Sequence, residues 1–296
     1  MKFNVDDLVE KGLVKKKTYT EGKYKGLSVL KYSKKVFWDD LWQLDERLLE
    51  CRGIVVDEND NVIVMPFKKV FNLGEGGTKV DSEREVVIVE KINGFMGAAT
   101  MTDKYGLIIS TTGSLDSEFS SLARKWIEKG NTNRMFVGRT YLFEICDKTD
   151  PHIVEEEEGA YLIGQRLIRD GLLGREQDAD LEARFLNYKR PFWKIRKFKD
   201  LPVTKKGGFM IRCGATQEVL CKIKSKHYLS KKLIMRLGKA KVDLMFDNPK
   251  EFKKWIKDEE FYEFVDYMAE NIDKEVWRSY NDQKRREFIE RYYSGE

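Results

Sequence analysis

The sequence predicts an α+β fold followed by a smaller, all-helical domain. Up to about residue 224, short β-branched runs bounded by Gly, Asn and Asp alternate with a few amphipathic helical segments. From residue 228 onward, apolar and aromatic residues instead recur at spacings of three and four, which is typical of helices packed on one another. We therefore expect two domains, residues 1–230 and residues 231–296.

The composition predicts a globular protein that stays in the cytoplasm. Of the 296 residues, 41% are hydrophobic and 35% are charged, and no apolar run approaches the roughly 18 residues that span a bilayer. The first twenty residues are charged rather than signal-like, so we expect no membrane partner. The cysteines are spaced too widely for a zinc site, so we expect them to be reduced and buried: Cys51, Cys146, Cys213 and Cys221.

The net charge of +5 is mild, but the charged residues are unevenly distributed. Acidic residues concentrate at 155–158, whereas basic residues cluster at 189–199, 205–206 and 222–232. Basic residues interleaved with aromatics, as in YKRPFWKIRKFK, suit a nucleic-acid backbone with bases stacked beside it. The alternative is a solvated charged surface with the aromatic rings in the core.

The first part of the chain combines a predicted helix with strands. Apolar residues at helical spacing behind an Asp predict an amphipathic helix over residues 39–50. Two strands follow at residues 51–58 and 62–67, separated by a turn at residues 59–61. Glycines then mark residues 67–77 as a loop.

Residues 86–101 are predicted to form two strands joined in a tight hairpin at Asn93-Gly94. Lys91 lies at the end of the first strand, where a lysine beside flexible backbone can act as the nucleophile of covalent nucleotidyl transfer. The Lys-x-x-Gly spacing is weak by itself, because it recurs at Lys23 and Lys205. The alternative is a solvated turn lysine, which only companion motifs can exclude.

Further strands and two helices are predicted between this hairpin and residue 224. Strands are expected at 106–112, 139–146, 161–168, 209–213 and 218–224, and helices at 116–129 and 176–188, the second ended by Pro191. Alternation on the strand at 139–146 places Glu144 on the face opposite Phe143 and Ile145. Glu144 is therefore either a surface residue or a cleft residue.

The C-terminal domain is predicted to be helical throughout. Helices are expected at residues 230–237, 249–257, 259–271 and 274–293. Five aromatic residues are predicted to form its core rather than a ligand site: Trp255, Phe261, Phe264, Trp277 and Tyr280.

Short motifs follow one another in a fixed order through residues 45–230. They are Arg52-Gly53, Lys69 within KKVFNLGE, Lys91-Ile92-Asn93-Gly94, Phe143-Glu144, DPHIV with Pro151, Ile153 and Val154, the strand Phe209-Met210-Ile211-Arg212, and CKIKSKHY with Lys222 and Lys224. Together they resemble a family of covalent nucleotidyltransferases, the ATP-dependent RNA ligases of the phage tRNA-repair type. The resemblance implies two antiparallel sheets around a nucleotide cleft, with ATP and Mg²⁺ or Mn²⁺ as cofactors.

The resemblance also implies roles for individual residues. Lys91 would carry AMP through a phosphoramide bond, and Lys222 and Lys224 would bind phosphate and share in catalysis. The residues implied in nucleotide binding are Glu90, Ile92, Arg52, Lys69, Gly94 and Glu144, the last on the ribose. The cations among these residues would favour a neutral Lys91 by like-charge repulsion if they converge on it.

Three positions depart from the family pattern. Asn93 stands where Asp is usual, Thr112 where a lysine is usual, and Gly207 where the fourth motif normally has Glu. That Glu is expected to help hold the catalytic metal. We therefore expect Glu144 and Glu218 to share the metal site, the alternative for Glu218 being an exposed strand residue.

The leading functional hypothesis is an RNA ligase that joins 5'-phosphate and 3'-hydroxyl ends through lysyl-AMP and RNA-adenylate. We expect a monomer that acts in RNA repair, for example on cleaved tRNA, with the helical domain helping to select the RNA. One alternative, suggested by Gly207, is a catalytically impaired nucleic-acid-binding protein on the same fold. Another is an adenylyltransferase with a different acceptor.

Overall fold

The structure is a computed structural model that describes residues 1–150, 152, 154–204, 206–235, 237–256 and 261–294. Pro151, Ile153 and Lys205, and the predicted helix ends at residues 257 and 259, lie outside the described residues. The chain divides into two compact units. The first comprises Met1–Pro202 and Phe209–Ile223, and the second comprises Val203–Gly208 and Lys224–Glu296. The division thus falls at residue 224, whereas the sequence places the boundary after residue 230.

The strands of the β-rich part have the following bounds. They are β1 Val14–Thr18, β2 Ser28–Tyr32, β3 Arg52–Val56, β4 Val62–Val64, β5 Glu85–Glu90, β6 Phe95–Thr102, β7 Gly106–Thr111, β8 Arg139–Cys146, β9 Gly159–Leu167, β10 Trp193–Lys197, β11 Gly208–Cys213 and β12 Val219–Lys224. Among the described residues they form three antiparallel sheets rather than the two that were expected, with strand orders β1-β2-β3-β4, β10-β5-β11-β12 and β7-β6-β8-β9. We call these the first, second and third sheets.

Helices flank the sheets of the first unit. They are α1 Asp6–Glu10, α2 Lys34–Trp38, α3 Arg47–Glu50, α4 Glu118–Ile127 and α5 Glu176–Leu186. The prediction of α4 and α5, and of the strands that become β3, β4, β7, β8, β9, β11 and β12, is confirmed to within a few residues at each end. The four cysteines are unpaired and buried, as expected.

The core of the first unit is layered because successive side chains of a strand point to opposite faces of the sheet. On β3, Ile54 packs into one cluster with Trp42 and Leu48, whereas Val55 packs into another with Ala98 of β6. The opposite face of the third sheet packs against α4 and α5 in a further cluster. The first and third sheets therefore share one layer of side chains, and the third sheet is covered on its other side by helices.

The predicted hairpin at residues 86–101 is wrong, although both of its strands exist. β5 pairs with β10 and β11 in the second sheet, whereas β6 pairs with β7 and β8 in the third. Alternation predicts which face of a strand is buried but does not identify its neighbour. We call the connection, residues 91–94, the crossover. It carries the chain from one sheet to another.

The single helix predicted over residues 39–50 is also wrong. Residues 39–50 instead contain a 3₁₀ turn at Leu41–Leu44 and the short helix α3, and α2 ends before them at Trp38. Asp40 has a left-handed φ of 52°, and Asp45 has extended backbone and accepts a hydrogen bond from the Arg47 N–H at 2.8 Å. Short polar side chains of this kind stabilise turns and helix starts, so they interrupt the apolar period.

Two differences concern residues 187–197. Helix α5 ends at Leu186, followed by Asn187 in a left-handed conformation, so Asn187 rather than Pro191 ends it. Residues of the basic stretch then form β10, which was not predicted as a strand. β10 is an edge strand that pairs on one side with β5, so its charged side chains can remain in solvent.

The second unit is helical. Its helices are α6 Lys226–Met235, α7 Lys239–Asp247, α8 Pro249–Lys253, α9 Tyr262–Asn271, α10 Lys274–Ser279 and α11 Asp282–Ser294. Helix α7 was not predicted, and the predicted helix at 274–293 is divided because Tyr280 has extended backbone. None of the helices among the described residues is both long and apolar enough to cross a membrane.

The predicted core of the second unit is partly correct. Phe261, Phe264 and Trp277 are buried, and Tyr280 is half-buried. Trp255, however, is 67% exposed, with the Lys241 ammonium over its ring. A cation on the ring face lets an aromatic side chain remain at the surface, which the apolar spacing alone does not reveal.

Candidate active site

A cavity of about 360 Å³ lies in the first unit, with walls from all three sheets. Its lining residues are Arg52, Phe67, Val70, Val89, Glu90, Lys91, Ile92, Gly94, Phe95, Met96, Thr112, Glu144, Ile163, Met210, Arg212, Val219 and Lys222. The walls are largely apolar, with a few charged groups among them. This combination is typical of a small-molecule site.

Lys91 begins the crossover, directly after the end of β5. Its side chain is half-buried, and its Nζ donates to the carbonyl oxygen of Ile92 at 3.3 Å. The next two residues, Ile92 and Asn93, are only 5% and 4% exposed. Lys91 is therefore a cavity residue on an anchored segment, and the alternative of a solvated turn lysine does not hold.

The crossover is held by the loop that follows β8. The Asn93 side-chain amide donates to the carbonyl of Val154 at 3.0 Å, and its backbone N–H donates to Glu156 at 3.2 Å. A carboxylate cannot donate a hydrogen bond to a carbonyl. The asparagine found where Asp is usual thus suits its surroundings in this chain.

Glu144 faces the cavity, which resolves the alternatives that alternation left open. Its neighbours on β8, Phe143 and Ile145, are fully buried on the opposite face of the strand. One Glu144 carboxylate oxygen accepts the Gly94 N–H at 3.0 Å. The same bond fixes the end of the crossover and the orientation of the carboxylate.

Gly94 lies closer to β8 than any other residue type allows. A Cβ on Gly94 would lie 2.1 Å from the carbonyl oxygen of Ile145 and 3.1 Å from Cys146 Sγ. The glycine of the Lys-x-x-Gly motif is therefore required by backbone contact between the crossover and β8.

Replacing Gly94 with alanine is expected to push the crossover away from β8 and to break its bond to Glu144. We expect the free energy of unfolding to fall by about 1–3 kcal/mol, measured by urea denaturation. Gly238→Ala is the control, because a Cβ there meets no atom of the described residues within 4 Å. Equal stability of the two variants would contradict the close approach.

Gly53 explains the Arg-Gly motif in the same physical terms. Its φ of +98° suits glycine, and a Cβ there would lie 2.7 Å from the Cα of Thr112. β3 can thus approach the end of β7. Arg52 and Thr112 come to line the same cavity as a result.

Arg212 is a cavity residue to which the sequence analysis assigned no role. Its side chain is 2% exposed and pairs with Glu176 at 2.5 Å, and it donates to the carbonyl of Ile163 at 3.1 Å. Burial lowers the pKa of Arg212, and the Glu176 carboxylate opposes this shift. The sequence pattern that could have identified Arg212 as a cavity residue is strand alternation, which places Met210 and Arg212 on one face of β11.

The charged groups of the lining favour an anion. Arg52, Lys91, Arg212 and Lys222 contribute four cationic side chains, against the carboxylates of Glu90 and Glu144 in the lining and that of Glu176, which pairs with Arg212 behind it. Low-dielectric walls strengthen the field of such groups inside a cleft. A ligand with several phosphate charges is therefore favoured.

Three residues assigned to the site by sequence are not among its described lining residues. Lys69 is bound to Glu75 at 3.1 Å, with 7% of its side chain exposed. Glu218 is exposed just before β12, where its carbonyl accepts the Cys213 N–H at 2.8 Å. Lys224 ends β12, and its ammonium lies 5.8 Å from the ring centroid of Tyr228.

The expected pairing of Glu144 with Glu218 in a metal site has no support in this geometry. Among the residues that the structure describes, no group of three or more His, Cys, Asp or Glu side chains is arranged to hold a metal ion. Two carboxylates nevertheless line the cavity, Glu90 and Glu144. Mg²⁺ commonly takes one or two carboxylates and completes its shell with substrate phosphates and water, so these residues fit such an ion.

Comparisons with known proteins agree with this architecture. A family model described as RNA ligase matches residues 50–226. Two solved structures of an archaeal ATP-dependent RNA ligase, forms 2 and 1, are 11% and 12% identical, each with a TM-score of 0.58. In both cases the match covers 96% of this chain and 74% of the other. A search of curated protein sequences finds no match.

The likeness to the archaeal structures is one of fold, and it confirms the predicted fold class of antiparallel sheets with a helical C-terminal part. The family match covers more than half of the chain, including the crossover and the cavity residues on β3, β8 and β12. This chain belongs to the RNA ligase family of the nucleotidyltransferase superfamily.

Proposed function

We propose that the chain is an ATP-dependent RNA ligase that joins 5'-phosphate and 3'-hydroxyl ends of RNA through an adenylate on Lys91. The observation that carries this proposal is the position of Lys91 on an anchored crossover, inside a cavity with Arg52, Arg212 and Lys222. An amine beside phosphate-binding cations is the arrangement that nucleotidyl transfer to lysine needs.

In the first step, the neutral Lys91 amine attacks the α-phosphorus of ATP. A P–N bond forms, the bond from the α-phosphorus to the bridging oxygen breaks, pyrophosphate leaves and the amine loses a proton. Arg52 and Lys222 would bind phosphate oxygens and stabilise the charge that develops on them, whereas Arg212, which is paired with Glu176, would support the wall behind them. Adenine would pack against apolar lining such as Ile163 and Val219.

Glu144 would bind the ribose. Its carboxylate already accepts the Gly94 N–H, and an ionised carboxylate has further lone pairs for a sugar hydroxyl. Glu90 and Glu144 would also supply the oxygen atoms for Mg²⁺ or Mn²⁺. Such an ion would neutralise phosphate charge during the displacement.

Two transfers complete the proposed reaction. An RNA 5'-phosphate oxygen attacks the α-phosphorus of the adenylate, and the Lys91 amine leaves with a proton. A 3'-hydroxyl then attacks the activated 5'-phosphorus, so that AMP leaves and the strand is joined. We infer a role in repairing broken RNA such as cleaved tRNA, with residues 231–296 as the domain that helps to select the RNA.

A second candidate is an RNA-binding protein without catalysis. It is favoured by Gly207, which has no carboxylate for a metal, and by the scarcity of acidic groups in the cavity lining. A third candidate transfers AMP to an acceptor other than RNA.

One experiment separates these candidates. The protein is incubated with Mg²⁺ and ATP labelled at the α-phosphate, with Mn²⁺ in a parallel sample, and denatured polypeptide is examined for label. RNA with a 5'-phosphate and a 3'-hydroxyl is then added. We expect label on the protein, its transfer to RNA, and a joined product. RNA binding without label would identify the binding protein, and labelled protein that never adenylates RNA would indicate another acceptor.

A further inference from the structure

Lys69 forms an ion pair with Glu75 and is not among the described residues of the cavity lining. Its ammonium is 4.7 Å from the ring centroid of Phe71, 5.2 Å from that of Trp42 and 5.5 Å from that of Phe37. The ion pair with Glu75 completes this surrounding at 3.1 Å. We call these five residues the lysine cage. A cation on aromatic faces with a carboxylate partner is held strongly in place.

Glu75 also connects the cage to the backbone of residues 71–73. One of its carboxylate oxygens accepts a hydrogen bond from the Lys69 ammonium. The other oxygen accepts hydrogen bonds from the backbone N–H of Asn72 at 2.8 Å and from the Asn72 side-chain amide at 2.5 Å. Residues 71–73 are thus fixed from one side by the ion pair. Phe71 itself also contacts the Trp42 ring edge to face, with centroids 5.9 Å apart.

The same short segment holds Lys222 through the main chain. The Lys222 N–H donates to the carbonyl of Phe71 at 2.9 Å, and the Leu73 N–H donates to the carbonyl of Lys222 at 3.0 Å. Asn72 and Lys222 therefore form an isolated parallel bridge. Both backbone polar groups of a cavity lysine are bonded to residues that the cage fixes.

We propose that Lys69 and Glu75 are positioning residues, which hold residues 71–73 so that Lys222 is correctly placed in the cavity. The proposal rests on the proposed function, because it assigns Lys222 a phosphate to bind. Lys69 then acts through the backbone of the next segment and makes no contact of its own with the nucleotide.

The alternative is that Lys69 leaves Glu75 and binds the polyphosphate directly. The two possibilities differ in the expected effect of Glu75→Gln. If Glu75 only restrains Lys69, its removal frees a phosphate-binding cation and should leave ATP binding unchanged or tighter. If the cage positions Lys222, Glu75→Gln should impair adenylation in the same way as Lys69→Met.

The test compares Lys69→Met, Glu75→Gln and Lys222→Ala, with each of the first two also combined with the third. Lys68→Met is the matched control, since Lys68 is the adjacent lysine and 54% of its side chain is exposed. Initial rates of adenylation are measured over a range of ATP concentrations.

We expect Lys69→Met and Glu75→Gln to lower kcat by up to about 10²-fold and to add nothing to Lys222→Ala, because contacts that act through one residue are not additive. Lys69→Arg, which keeps the cation and the ion pair, should restore most of the rate. A raised KM for ATP in Lys69→Met alone, with Glu75→Gln unimpaired, would overturn the proposal.

A second measurement does not depend on activity. Amide hydrogen exchange at Leu73 and Lys222 should become faster in Lys69→Met and Glu75→Gln but not in Lys68→Met. If exchange becomes faster in these variants but the parent protein is never adenylated, the proposed function is contradicted, whereas the positioning of residues 71–73 and Lys222 by the cage is supported. Unchanged exchange at both amides would reject the proposal that the cage positions Lys222, whatever the adenylation activity of the variants.

Discussion

Replacing Lys91 with alanine is expected to abolish covalent adenylation, by at least about 10³-fold. Lys91 is the cavity lysine whose position on the crossover is fixed by the bonds of Asn93 and Gly94 to neighbouring segments. Without its amine, the α-phosphorus has no attacking nitrogen, although the cations that bind phosphate remain. The measurement is label from α-labelled ATP on the denatured polypeptide.

The chain offers a matched control for this change. Lys23 is followed by a glycine three residues later, as Lys91 is, but it is exposed. Lys23→Ala should retain full labelling. The label on the parent protein should be lost in acid and stable in alkali, as expected for a P–N bond. Labelling of Lys91→Ala at the parental rate would show that another residue is the nucleophile.

Glu176→Gln is expected to lower the free energy of unfolding by about 3–5 kcal/mol, the usual cost of breaking a buried ion pair from one side. Glu176 is fully buried at the start of α5, where it pairs with both Arg212 and Arg190. In the variant, Arg190 would keep its ion pair with Asp180 at 2.8 Å. Arg212, whose side chain is only 2% exposed, would lose its ion pair with the Glu176 carboxylate. The stability should be measured by urea denaturation.

Asp178→Asn is the control for this second prediction. Asp178 lies in the same first turn of α5, also near the positive end of the helix dipole, but it is exposed. We expect it to leave the denaturation midpoint nearly unchanged. If both substitutions shift the midpoint equally, the effect of Glu176 belongs to the helix dipole and not to the buried pair.

Local features of the fold were predictable because they depend on neighbours in sequence. The strand predicted at residues 139–146 has the same bounds as β8, and the start of α4 follows from Ser117, whose side chain accepts a hydrogen bond from the Ser120 N–H. The assignment of β5 and β6 to different sheets was not predictable. It depends on which distant strands bury the same faces, and periodicity contains no information about partners.

The site residues that belong to local motifs were likewise predictable, whereas those that depend on distant contacts were not. Lys91, Glu144, Arg52 and Lys222 were found from ordered motifs, and all of them line the cavity. Arg212 was missed as a site residue because the face of β11 that it shares with Met210 becomes a cavity wall only through the packing of distant strands. Lys69 was also assigned to the nucleotide but is not among the described lining residues, and its motif gave no information on the direction of its side chain.

The position of the crossover has a thermodynamic consequence. The second sheet contributes Arg212 and Lys222 to the cavity, the third contributes Glu144, and residues 91–94 are a short covalent link between them. A nucleotide that touches both walls would bind only the state in which the two sheets are correctly apposed. Its binding energy would then be added to the stability of that junction. Occupancy should therefore raise the melting temperature even in variants whose chemistry has been removed.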